Sequence, residues 1–138
     1  MYEKELIARL AGDSELVSLL GTYNNKPCIF DQEKPKTPPF PYLVIRIEKY
    51  GVDAAVSKFT TVIDYFGHTS ERSRLQARQA VERIEYLLKY YSLASERYSD
   101  VRHYECDIIP VPNEDPRAVQ YSVRFDARAV ESKWIKQI

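Results

Sequence analysis

His103, Glu105 and Asp107 alternate along one predicted strand, and residues two apart on a strand share a face. An imidazole and two carboxylates are donor types that hold a divalent ion. Neighbours at that spacing lie about 7 Å apart, however, so three direct bonds to one ion would be strained. A solvated sheet face, or charges meeting a neighbouring subunit, is the simpler reading, and no metal is expected. Cys106 and His103 form a second candidate, a thiol beside an imidazole. Three apart on a strand, they are expected to face opposite sides. That removes the hydrogen-bond reach a nucleophile needs from its base.

Other chemistry fails on pattern. The glycines Gly12, Gly21, Gly51 and Gly67 are scattered, so no glycine-rich loop precedes a helix to cradle a phosphate. No Gly-x-Ser-x-Gly elbow occurs. Glu82 and Glu85 share a helix face with Arg78 and Lys89 and read as surface ion pairs. No catalytic residue, no cofactor and no enzymatic activity are expected. Arg72, Arg74 and Arg78 open the main predicted helix, where the dipole gives cations no support. They are expected to answer acidic groups on a partner; contact with phosphate is the other use of such a cluster. At the far end, Val130, Trp134 and Ile138 are spaced by four, with Ile135 nearby. That tail either docks a partner or folds back over its own core, and tryptophan is a frequent interface anchor.

Composition narrows the classes. The 138 residues suit one domain, and a 44% hydrophobic share with 12% aromatics supports a folded core. Lysine and arginine number 20 against 20 aspartate and glutamate, which removes the net basic surface typical of nucleic-acid binders. Apolar runs are too short to cross a bilayer, and Met1 to Leu10 carries Glu3, Lys4, Glu5 and Arg9, unlike a signal peptide. A cytoplasmic protein is expected, with Cys28 and Cys106 as free thiols.

The elements follow from periodicity. Residues 1–21 read as N-terminal helices, with Leu6, Ile7 and Leu10, then Leu16, Val17 and Leu20, at helical spacing. A short strand is expected around Ile29, and 34–41 is a proline-rich connector. A β-hairpin covers 42–66. The main helix covers 69–91, capped by Thr69 or Ser70, with Ala77, Ala80, Val81, Ile84, Leu87 and Leu88 on one stripe. A C-terminal hairpin covers 101–130, and in its last strand Val119, Tyr121, Val123, Phe125 and Ala127 face inward. A tail covers 131–138. The expected architecture is α+β: an antiparallel sheet of about four strands with a long helix and the N-terminal helices packed on one face.

This layout resembles the tail-terminator and head-to-tail joining proteins of long-tailed bacteriophages. The resemblance runs through Leu16-Val17-Ser18-Leu19-Leu20-Gly21, the strand near Ile29, and the proline-rich lead into Pro41-Tyr42-Leu43-Val44-Ile45. It continues through Thr61-Val62-Ile63-Asp64-Tyr65-Phe66 before the long helix and closes at Tyr121-Ser122-Val123-Arg124-Phe125. Residues 92–116 and the tail fit it least. It implies a non-enzymatic virion protein that forms a homo-hexameric ring, caps the tail tube and docks the head connector or stopper. The protein would be made in the host cytoplasm, would touch no membrane, and would meet nucleic acid only as DNA passing through the ring. Ring contacts join two different patches. They are expected at Lys49, Tyr50 and Asp53 of the hairpin, at Arg72 and Arg74, and at Trp134 and Ile138 of the tail. A cytoplasmic protein-binding adaptor and, further off, a nucleic-acid module using Arg72, Arg74 and Arg78 are the alternatives.

Overall fold

Apolar side chains recur every three or four residues in two stretches and alternate in four others, and the backbone follows these two periods. The computed structural model describes residues 1–31, 34–112 and 114–135, and their side chains except at 71, 72, 134 and 135. The helices are α1 (Glu3–Ala11), α2 (Ser14–Val17), α3 (Glu71–Leu88) and α4 (Ser132–Ile135). The strands are β1 (Thr22–Tyr23), β2 (Lys26–Pro27), β3 (Ile29–Phe30), β4 (Tyr42–Asp53), β5 (Val56–His68), β6 (Ser92–Leu93), β7 (Tyr98–Val111) and β8 (Ala118–Glu131).

β1 and β2 form a small ribbon whose turn places Asn24 and Asn25 at positive φ. The other six strands make one sheet in the order β3-β4-β5-β8-β7-β6. β3 runs parallel to β4, whereas the remaining pairs are antiparallel. β5 and β8 hold register without interruption from Val56↔Val130 to His68↔Ala118. The strands outside them are irregular: β4 is bulged between Lys49 and Gly51, and β7 between His103 and Cys106.

One face of the sheet carries the core. Leu43 and Ile45, Phe59 and Ile63, and Val123 and Phe125 meet Leu6 and Leu10 of α1 and Ala77, Ala80 and Ile84 of α3. Each large side chain buried this way contributes about 1.5–3 kcal/mol. The Ser70 hydroxyl caps α3 by accepting the Ser73 N–H at 3.2 Å. α3 ends at Leu88 because Tyr90 turns into the left-handed region, φ 64°, and gives its N–H to the His103 carbonyl at 2.7 Å.

These facts correct the expected fold class. The chain is mostly β, built on a six-stranded mixed sheet, and is not an α+β domain with a long helix and N-terminal helices on about four antiparallel strands. Two-residue strands at both edges are too short to show a period, and β3 adds a parallel pairing reached through the proline-rich connector. The four long strands run 12 to 14 residues and dominate the chain. Among the described residues, no helix is long and apolar enough to cross a membrane.

Candidate functional site

The β7 bulge rearranges the residues that alternation had grouped. His103 stands opposite Ala127 and Cys106 opposite Phe125, so both point to the core. His103 is buried, whereas Glu105 and Asp107 are exposed on the other face. The apparent His103–Glu105–Asp107 set is therefore divided between two faces, and no metal-binding cluster occurs among the described residues. The expectation that His103 and Cys106 face opposite sides is likewise corrected, because the bulge consumes one step of the alternation. They still form no pair. The Cys106 thiol is hydrogen-bonded to Glu85, and burial, then Glu85, pushes its pKa up to about 12, which leaves it inert.

His103 belongs to a different group. Its Nε2 lies 2.9 Å from the Thr61 hydroxyl, and the Tyr2 hydroxyl lies 2.5 Å from the same oxygen. The rings of Tyr2 and Phe125 stand edge-on to the imidazole, and Phe59 packs edge-on against Tyr2. Burial lowers the His103 pKa to about 4, so the ring is neutral. Its Nδ1 has no partner among the described residues. A Tyr–Thr–His hydrogen-bonded row could relay a proton, but all three side chains are sealed from solvent and no substrate reaches them. The row fastens the start of α1 to the middle of the sheet. The sequence signal for it was a hydroxyl, Thr61, set between Phe59 and Ile63 in the inward row of β5.

The expected interface residues lie at separate places. Lys49, Tyr50 and Asp53 are exposed on the β4 arm, with Ala54 at φ 55° forming the turn. Tyr50 lies over the face of the sheet away from the core, where it donates to Asp126 at 2.7 Å. α4, which contains Trp134, follows β8 at the same end of the sheet. The Trp134 side chain and all of Ile138 lie outside the described residues. Arg74 is exposed on the first turns of α3, at the opposite end; the Arg72 side chain lies outside the described residues.

Sequence reasoning missed a helical surface. Tyr86, Tyr90 and Tyr91 are 71%, 62% and 43% exposed around the end of α3. Each has a cation on one ring face: Arg83 at 4.6 Å, Lys89 at 5.5 Å and Arg9 at 3.6 Å. Arg83 is fixed by Asp13, donating through Nε at 2.9 Å and Nη2 at 2.8 Å, and meets Glu15 at 3.2 Å. Arg83 beside Asp13 holds that carboxyl below its usual range. A groove of about 400 Å³ runs between α2 and α3, lined by Glu15, Ser18, Leu19, Gln79, Glu82, Arg83 and Tyr86. Exposed tyrosine and arginine are the residues that anchor protein interfaces.

No family model and no curated protein matches the chain. Solved structures do. A chain from the virion of a native gene transfer agent (GTA) particle superposes with a TM-score of 0.67 at 17% identity, covering 94% of each chain. A second solved chain superposes with a TM-score of 0.58 at 15% identity, covering 91% of this chain and 94% of the other. At these identities the likeness is one of fold.

Proposed function

We propose that the chain is a structural protein of a phage-like virion, acting as a tail terminator or head–tail joining component. Copies assemble into a homo-hexameric ring that caps the tail tube, docks the head connector and leaves a passage for DNA. The protein works by binding and not by catalysis. It is made in the host cytoplasm and ends in the particle.

The observation that carries this reading is the match over 94% of both chains to a component of the gene transfer agent virion. Two features of the surface support it. The exposed tyrosines and the β4 arm are separate patches, as a ring built from heterologous contacts requires. β4 and β7, which run on beyond the two-residue edge strands that cover them, are both bulged, and Pro110 sits in the exposed half of β7, devices that discourage strand addition. Side chains, then, make the contacts between copies.

Light scattering over a wide concentration range, with electron microscopy of the same fractions and of fractions mixed with purified tail tubes, tests the proposal. Closed rings of about six copies, free or seated on tube ends, are expected. A compact dimer that ignores tubes would overturn it and favour the adaptor reading.

A further inference from the structure

The proline-rich connector is held on the face of the sheet opposite the helices. Phe40 stacks on Tyr42 at 5.6 Å, and Tyr42 stacks on Phe66 at 4.8 Å. Tyr42 and Phe66 are cross-strand partners one step away from the inward pair Leu43 and Tyr65. Lys34 also sits over the Tyr42 ring, at 6.0 Å. Lys34, Lys36, Thr37 and Pro39 are exposed, and neither lysine has an ion pair among the described residues. The groove between α2 and α3 lies on the helix side of the sheet, whereas Lys34 and Phe40 rest on Tyr42 on the other; the Pro41 carbonyl, at the connector's end, accepts the Gly21 N–H at 2.8 Å.

The two features are complementary. The groove rim carries Glu15 and Glu82, both exposed, while its one cation, Arg83, is taken by Asp13 and Glu15. Tyr86 presents a free ring face beside Leu19. Proline-rich segments in an extended helix dock on aromatic-walled grooves, because little of their conformational freedom remains to be lost. Two lysines spaced around a proline match two glutamates around a tyrosine.

We infer that the connector of one copy, Lys34 to Pro39, docks in the α2–α3 groove of the next copy. This rests on the ring reading given above. The contact joins two different patches on opposite sides of the protomer, so it propagates head to tail. It also gives a use to an exposed basic, proline-rich segment that rests on Tyr42 through Lys34.

The test uses the full chain and two surface variants, Lys34→Glu/Lys36→Glu and Glu15→Lys/Glu82→Lys, each checked for an unchanged fold by circular dichroism. A peptide copying residues 34–41 is titrated into the isotopically labelled chain and followed by NMR. Shifts are expected at the amides of Glu15–Leu19 and Gln79–Tyr86, with affinity about tenfold weaker in the Glu15→Lys/Glu82→Lys chain. In the assembly arm, each variant alone is expected to lose rings, and an equimolar mixture is expected to regain them, since reversed charges then face each other. Absence of peptide shifts, or rings that persist in both variants, overturns the inference and leaves the ring reading standing. Peptide binding by a chain that stays monomeric on tail tubes supports the groove and overturns the ring.

Discussion

The Tyr50 phenol spans β5 to donate to Asp126 on β8, and Arg128 donates to the same phenol oxygen. The β4 bulge makes this reach available, because Tyr50 is the extra residue between Lys49 and Gly51. Beneath it lies a cross-strand row of three cations, Lys58 opposite Arg128 and Arg128 opposite Arg102. Like charges placed opposite each other on a sheet destabilise it. Asp126 bonds Arg128 at 2.7 Å, and Asp100 pairs with Arg102 at 3.2 Å, so two of the three cations are countered by carboxylates.

Replacing Tyr50 with phenylalanine is therefore expected to cost about 0.5–1.5 kcal/mol in urea unfolding. Asp126→Asn should cost more than Tyr50→Phe at low ionic strength, and the gap should close near 1 M salt, where charges are screened within about 3 Å. A gap that does not change with salt would show that the cation row carries no strain.

The buried imidazole sets an acid limit. His103 has a folded pKa near 4 against an ordinary value of 6.5, so the neutral form belongs to the folded state. Its stabilising contribution is complete above pH 6.5, declines as pH falls because the unfolded chain takes up the proton first, and is lost by about pH 4. The loss is expected to reach about 3 kcal/mol. Denaturant titrations of wild type and His103→Phe from pH 7 to pH 4 check this; parallel curves would show that another group governs acid unfolding.

Thr61 bridges two buried polar groups, and Thr61→Val strands both the Tyr2 hydroxyl and the His103 Nε2. We expect a loss of about 2–4 kcal/mol. Adding Tyr2→Phe to Thr61→Val should recover part of it, since one orphaned hydroxyl is removed. Strict additivity of the two substitutions would contradict a shared hydrogen-bonded row.

Asp13 both caps α2, accepting the Leu16 N–H at 2.9 Å, and holds Arg83. Asparagine preserves capping and removes the charge, so Asp13→Asn isolates the ion pair. Asp13→Ala is expected to lose about 1 kcal/mol more through the missing cap. Because Arg83 lowers the Asp13 pKa, the advantage of wild type over Asp13→Asn should hold above the ordinary aspartate range and fade as pH falls through the lowered value. Thermal melts at pH 6 and pH 2.5 measure both effects.

Much of the core was legible where period and register agree. The inward row of β8 includes Val123, Phe125 and Ala127, all buried, because that strand is unbroken against β5. The α3 stripe from Ala77 to Leu88 is buried for the same reason, a period matched by one uninterrupted element. β7 defeated the same method. One bulge reversed the side on which Cys106 falls relative to His103, and a bulge has no periodic signature. The two-residue edge strands gave no period at all, so the sheet was undercounted and its parallel pair unseen. The helical groove was invisible because Glu15 and Tyr86 meet only through the packing of α2 on α3.

β8 occupies the middle of the six-stranded sheet although it follows every other strand along the chain. A nascent chain emerging from the ribosome thus holds β5 and β7 apart, each with a bare central edge, until Ala118–Glu131 has cleared the exit tunnel. Folding is obliged to be late and all at once, with its longest ladder joining segments about sixty residues apart. Translation that stalls before β8 leaves two sticky strands exposed, a species for chaperones or proteases to handle.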